Sequence, residues 1–154
     1  MNIYIVRHTI AASIGNENES AITEKGKIIF NRNLEFWSSV SPRLDLVLSS
    51  PIRRALETAE LINEHFDLPF DVITEKGLAP GASTELVIAL TNSLNKNDIA
   101  VVGHLPDVAY HVSNLISNSG ANVVFLPGNV AKISFDGEAR LRAGFLEFLI
   151  SSKK

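Results

Sequence analysis

The 154-residue chain has no cysteine. That absence excludes disulfides, thiolate nucleophiles and cysteine-bound metal, so a metal site would have to be assembled from His, Asp and Glu. No apolar run approaches the roughly 20 residues that cross a bilayer, and no basic leader precedes an apolar segment and a small-residue cleavage site. A cytoplasmic protein with no membrane partner is expected. Positive charge is not in excess either: 14 Lys and Arg against 17 Asp and Glu leave a formal charge of -3. Nucleic acid is therefore not an expected partner, and any anion site must be local. The chain lacks a GxGxxG turn, a Walker loop and a GxSxG elbow, which argues against nucleotide binding or hydrolase chemistry through those motifs. Like-charge blocks, low-complexity tracts and internal repeats are missing too, so no internal boundary is placed. One domain over residues 1–150 is expected, followed by a loose tail at 151–154.

What is present reads as a packed core. Apolar residues make up 45% of the chain and charged residues 20%, the balance of a globular protein. Residues 3–6, 46–48 and 99–102 are short β-branched or aliphatic runs, apolar on both faces as in buried parallel strands. Between them, Ile29, Phe30, Leu34 and Trp37, then Ala55, Ala59, Ile62 and Phe66, then Leu86, Leu90 and Leu94 recur near a 3.6-residue period. Thr23 is a candidate N-cap. Ser50 with Pro51 reads as a cap followed by proline at the first helical position, and Leu105 with Pro106 repeats that arrangement before Val108, Val112 and Leu115. Near the end, Asp136 and Gly137 suggest a hairpin turn between residues 130–135 and 139–142. The expected architecture is α/β: a three-layer α/β/α sandwich whose central sheet is mostly parallel, with an antiparallel hairpin.

On that scaffold the polar residues gather. The first strand runs into Arg7 and His8, the second into Ser49, Ser50 and a helix start carrying Arg53 and Arg54, and the third into Gly103 and His104. Ligands of open α/β sheets bind beyond the carboxyl ends of the strands, where helix N-termini also point. Singly, each residue has a plainer reading. An arginine after a strand is usually solvated, Arg53 and Arg54 compete for one role, and His65 and His111 read as helix residues with structural duties. Three strand ends delivering cationic or potentially cationic groups to one edge are harder to assign to chance.

VRHT at the first strand end, AITEKGK opening the first long helix, SSPIRRALET at the second strand end and VVGHLPDV at the third together resemble the histidine phosphatase superfamily, also called the phosphoglycerate mutase-like fold. Within it the resemblance is to the small phosphohistidine phosphatase branch, with GLAPGASTEL as a weaker match. The resemblance implies His8 as nucleophile and Arg7 as phosphate ligand. The SPxxRAxxT pattern, with Pro51 and Thr58 bracketing it, implies Arg54 and not Arg53 as the pocket arginine, and His104 corresponds to the family's second histidine. Thr9 stands where glycine is common, adding a hydroxyl that could donate to phosphate, and Ile10 stands where the branch often has an acid. The backbone near Leu105 is a further candidate phosphate donor.

The chemistry is coherent on its own terms. Phosphoryl transfer needs positioning and fixed donors more than covalent help from the protein. Arginine supplies bidentate forks, and an unprotonated imidazole can attack phosphorus to give a covalent intermediate. Neither metal nor cofactor is called for. The resemblance implies a phosphatase that works through phosphohistidine, acting on phosphohistidine in a protein such as a histidine phosphotransfer domain. The alternatives are a phosphatase of small phosphomonoesters and a phosphate-binding regulatory module. The segment from 71 to 85, where larger relatives carry a proton donor, has no carboxylate in GLAPGAS, leaving Glu75 and Glu85 on either side of it as candidates.

Overall fold

The computed structural model describes residues 1–13 and 15–151; residues 152–154 of the expected tail lie outside them. Six strands form one sheet: β1 (Asn2–Arg7), β2 (Leu46–Ser49), β3 (Ile73–Thr74), β4 (Asp98–Gly103), β5 (Val130–Ser134) and β6 (Phe145–Ile150). Their order is β3-β2-β4-β1-β5-β6. The first four run parallel, whereas β5 is antiparallel to β1 and β6 to β5. Helices α1 (Glu24–Val40) and α2 (Arg53–His65) cover one face, and α3 (Thr84–Ser93) and α4 (Asp107–Ile116) cover the other. This is the mixed, mostly parallel three-layer sandwich expected from the alternating runs.

The strands are apolar on both sides because both sides are buried. Ile3 and Ile5 of β1 face the α3/α4 layer with Ile99 and Val101 of β4, while Tyr4 and Val6 face the α1/α2 layer with Ala100 and Val102. This is the two-residue alternation of a strand, with each face buried against a helical layer. Trp37 anchors the α1/α2 side, fully buried between Tyr4 and Phe66, each with ring centroids 4.9 Å away. On the other side Val108, Val112 and Leu115 make the buried stripe of α4.

Thr23 caps α1 as expected, accepting from the Gly26 N–H. Three local expectations are corrected. Helix α2 begins at Arg53, with Ile52 rather than Ser50 at the cap position; Ser50 Oγ accepts the Ile52 N–H in a shorter turn and has a second partner described below. Helix α4 likewise starts at Asp107, one residue after Pro106. The buried stripe of α3 is Thr84, Val87 and Thr91, and Leu86, Leu90 and Leu94 lie half-buried at its margin. The two threonines tolerate burial because their hydroxyls are bonded, Thr91 to the Val87 carbonyl and Thr84 to His111.

The hairpin also differs. The strand returning beside β5 is β6, not residues 139–142. That segment is held by the helices instead: Asn92 brackets Ala139 with two hydrogen bonds, and the Arg142 and Gly144 N–H groups donate to Asn114 and Leu115 carbonyls.

Candidate active site

The carboxyl ends of β2, β4 and β1 lie side by side, and backbone bonds continue past the strands to lock them together. The His8 N–H donates to the Gly103 carbonyl at 3.1 Å, and the Ser50 N–H to the Val102 carbonyl at 3.1 Å. From the other side, the Gly128 N–H is shared by the Arg7 and His8 carbonyls at 3.1 and 3.2 Å. Arg7, His8, Ser50 and His104 are thus placed by sheet register rather than by loop conformation.

His8 carries a defined tautomer. Its Nδ1 lies 2.8 Å from the Thr9 carbonyl oxygen, which can only accept, so the ring proton sits on Nδ1 and Nε2 keeps a lone pair. Arg54 Nε donates to that lone pair at 3.2 Å. The His8 pKa is lowered from 6.5 to about 4, mainly by burial, with the positive charges of Arg54 and Arg7 adding to the effect against the Thr9 hydrogen bond. The imidazole is therefore neutral near pH 7. His104 lies behind it, 97% buried with the ring centroid 5.3 Å away. Burial first, then His8 and Arg54, lower its pKa to about 3. Its Nε2 is 2.8 Å from Ser50 Oγ.

The two arginines approach from opposite sides. Arg7 donates through Nη1 to the Phe125 carbonyl at 2.7 Å, and Arg54 through Nη1 to the Glu17 carbonyl. Arg53 points outward, paired with Glu57 at 2.9 Å and touching the Glu19 carbonyl. The helix register thus assigns one arginine to each side of α2. Thr58 fixes that register against β1: its hydroxyl donates to the Arg54 carbonyl at 2.7 Å and accepts the Thr9 N–H at 3.1 Å.

A cavity of about 350 Å³ opens over this group. Arg7, His8 and Arg54 line it with the chain from Thr9 to Ser13, and Glu17, Ser20 and Pro127 complete the wall. His104 is not among the lining residues. Two buried nitrogens of this group, Arg7 Nε and His104 Nδ1, have no hydrogen-bond partner among the described residues. Leaving such groups unpaired costs about 1–3 kcal/mol each, so an acceptor brought by a ligand is the natural complement. Two guanidinium groups and a neutral imidazole suit a phosphate-sized oxyanion. Among the described residues, no group of three His, Asp or Glu is placed to hold a metal ion.

One expected phosphate donor is differently used. Thr9 is fully buried and gives its hydroxyl to the Gly26 carbonyl at 2.9 Å and its N–H to Thr58, so both donors are committed inside the protein. Leu105 is 45% exposed and does not line the cavity. Neither Glu75 nor Glu85 lines it: the Glu75 side chain accepts the Gly77 N–H, and Glu85 borders a separate depression with Asn114 and Arg142. The sequence draws attention to Ser50 and Thr58 without giving them a role in the site, and gives no signal for Glu17 or the Phe125 carbonyl. Ser50 and Thr58 were visible in SSPIRRALET, but Ser-Pro reads first as a helix cap. Glu17 and Phe125 reach the site only through tertiary structure.

Comparison with known proteins finds relatives over most of the chain. The sequence profile of the histidine phosphatase superfamily (branch 1) matches residues 3–79. The chain is 30% identical over 148 residues to a phosphohistidine phosphatase SixA homolog of Haemophilus influenzae, covering 89% of this chain and 90% of that protein. It is 26% identical over 140 residues to phosphohistidine phosphatase SixA of Escherichia coli, covering 88% and 86%. Among solved structures, protein histidine phosphatase SixA complexed with tungstate superposes with a TM-score of 0.87 at 23% identity, over 99% of this chain and 97% of that one.

Proposed function

The chain belongs to the histidine phosphatase superfamily, branch 1, and from that premise we propose that it is a phosphatase that removes the phosphoryl group from phosphohistidine in a protein, through a phosphohistidine on its own His8. The observation that carries the reading is the His8 ring: Nδ1–H is spent on the Thr9 carbonyl, and Nε2 faces a cavity flanked by Arg7 and Arg54. The assignment of the curated relatives as phosphohistidine phosphatases supports the choice of substrate.

Arg54 Nε–H donates to the nucleophile's lone pair. A phosphoryl dianion offers that N–H a stronger, charge-assisted acceptor and so uncovers Nε2. Nε2 then attacks phosphorus in line, the P–N bond to the substrate imidazole breaks, and the departing imidazole takes a proton from solvent. Arg7 and Arg54 hold the equatorial oxygens, where charge gathers in the transition state. Water next attacks the phosphoryl group on His8. The new P–O bond forms as the Nε2–P bond breaks, the electron pair returns to Nε2, and inorganic phosphate leaves. The fixed Nδ1–H of His8 keeps the ring in the same tautomer through both steps.

One observation favours a second reading, hydrolysis of small phosphomonoesters. Glu17 is the only carboxylate-bearing residue among those described as lining the cavity, and expelling an alkoxide calls for a proton donor. The deciding experiment incubates the protein with a phosphorylated histidine phosphotransfer domain, an aryl phosphate and an alkyl phosphate in parallel. The acid-labile phosphoenzyme is trapped in alkali. Label on His8 with preference for the phosphotransfer domain is expected. Efficient alkyl phosphate hydrolysis that collapses in Glu17→Gln establishes the second reading instead, and label on Ser20 or Ser13 in place of His8 overturns the nucleophile.

A further inference from the structure

Ser50 is absent from the mechanism just given, yet its side chain is fully buried between the site and the start of α2. Among the described residues its Oγ has two partners, the Ile52 N–H at 3.2 Å and His104 Nε2 at 2.8 Å. The backbone N–H can only donate, so it takes one acceptor position of the hydroxyl. If His104 also donated from Nε2, Oγ would accept twice and its own proton would be stranded in the interior. At the same time the buried Nδ1, already unpartnered, would hold only a lone pair and have no proton to offer an anion. Both faults vanish when Ser50 O–H donates to Nε2 and the proton sits on Nδ1.

We propose that Ser50 is a positioning residue that holds His104 as its Nδ1–H tautomer, so that the second imidazole meets the phosphoryl group as a neutral hydrogen-bond donor. Its effect on rate rests on the phosphatase reading; the hydrogen bond itself does not. Two further features point the same way. The backbones that carry the two partners are held in place, since the Val108 N–H donates to the His104 carbonyl at 3.0 Å and the Ser50 N–H to the Val102 carbonyl at 3.1 Å. In addition, the low pKa of His104 leaves it uncharged at neutral pH, so protonation cannot supply the donor and the choice of tautomer must. A neutral histidine side chain in water favours the opposite tautomer, with the proton on Nε2, which is why a dedicated partner is required.

The test is a ¹⁵N–¹H correlation spectrum of the histidine rings in the full-length protein at pH 7. Wild type should show His104 with Nδ1 protonated and Nε2 bare. Ser50→Ala should shift the ring toward Nε2–H and lower kcat by about tenfold or more, the scale of losing one transition-state donor, while His8 remains the labelled residue. Ser50→Thr, which keeps the hydroxyl, should restore both the tautomer and the rate. Wild-type His104 protonated on Nε2 overturns the proposal, and so does a Ser50→Ala protein with unchanged tautomer and rate. If Ser50→Ala does not fold, the wild-type spectrum alone decides. A protein inert toward phosphohistidine that still shows the tautomer, and its loss in Ser50→Ala, upholds the role of Ser50 and overturns only the substrate.

Discussion

Two adjacent arginines with opposite fates make a sharp test. Arg54 reaches His8 Nε2 and the Glu17 carbonyl from inside the cavity wall, whereas Arg53 sits on the outer face of α2 in an exposed pair with Glu57. Removing a preorganised donor from a phosphoryl transition state costs about 2.7–4 kcal/mol, so Arg54→Ala should lower kcat on phosphohistidine by roughly 10²–10³. Arg53→Ala forfeits a surface ion pair worth about 0–1 kcal/mol to stability and nothing at the reacting atoms, so its kcat should stay within about twofold of wild type. Arg54→Lys should recover little, because an ammonium cannot reproduce the planar fork. A second readout is independent of turnover. Arg54 is one of the charges that depress the His8 pKa, so its loss should raise that pKa from about 4, though burial, the larger cause, keeps it below 6.5. Steady-state kinetics on the three variants and an NMR titration of His8 supply the data. Equal losses in the two alanine variants, or an unmoved His8 pKa in Arg54→Ala, would refute the assignment of Arg54 to the site.

The remaining expectations concern pH, distant carboxylates, packing and metal. With a His8 pKa of about 4, about nine in ten molecules still hold the neutral nucleophile at pH 5, against about 3% for an unperturbed ring; kcat corrected for substrate ionisation should keep its value down to that pH, and a limb near 6.5 would contradict the burial argument. His8, His104 and His111 all have folded pKa values lowered to about 4, 3 and 4, below the unfolded value near 6.5. The unfolded chain therefore binds more protons below that point: stability is full above about pH 6.5 and falls as pH drops toward 4, which urea melts at pH 7 and 5 should register. Glu75→Gln and Glu85→Gln should leave phosphohistidine turnover nearly intact, since neither residue lines the cavity; a large loss in either would restore it as a proton donor. Gly26→Ala puts a methyl group 2.5 Å from the Ile10 carbonyl oxygen, so a loss of about 1–3 kcal/mol in a denaturant melt is expected together with slower turnover, because Ile10 follows the His8 segment. Chelators should leave activity unchanged while vanadate competes, and activity restored only by added metal would contradict the arginine-based mechanism.

The readable parts of this protein were those whose signal is local. VRH, SSPIRR and VVGH each end an apolar run, so strand, strand end and polar group are visible together in a few residues. The resemblance to the family's SPxxRAxxT pattern implies Arg54 rather than Arg53, and the Thr58 bonds to the Arg54 carbonyl and the Thr9 N–H give that pattern a physical reason. What escaped was decided at long range. Asp136 and Gly137 signal a turn, but the pairing of the returning chain depends on Asn92 and Asn114, which hold residues 139–142 against α3 and α4. The leucines of α3 show a helical period, yet buried threonines win the core side because His111 and helix carbonyls bond their hydroxyls. Thr9 illustrates the limit most directly: a hydroxyl beside the nucleophile invites a catalytic role, and only the approach of Gly26 reveals that it is consumed in fastening α1 to the β1 loop.

The charge arrangement of the site also accounts for its residue types. A dianionic phosphoryl group needs positive charge, yet a nucleophilic nitrogen needs to be uncharged, and two imidazolium rings 5.3 Å apart would repel each other. The protein separates these requirements by residue. Arginine keeps its charge despite burial because its intrinsic pKa is so high, so Arg7, whose pKa burial lowers, and Arg54 provide the permanent field. Burial first, with Arg54 acting on both rings and Arg7 on His8, holds His8 and His104 neutral. Exchanging the roles fails on physical grounds: a lysine in place of an arginine would itself be open to neutralisation by burial, and a histidine exposed enough to stay charged would lose its lone pair as nucleophile. Once both imidazoles are neutral, what distinguishes attack from donation is which nitrogen holds the proton. The Thr9 carbonyl sets that for His8, leaving Nε2 to attack. The hydroxyl of Ser50 answers it for His104 in the opposite sense to an ordinary carbonyl partner: by donating to Nε2, it leaves Nδ1–H to give. Two like rings at adjacent strand ends thereby become a nucleophile and a donor, without either having to titrate during the cycle.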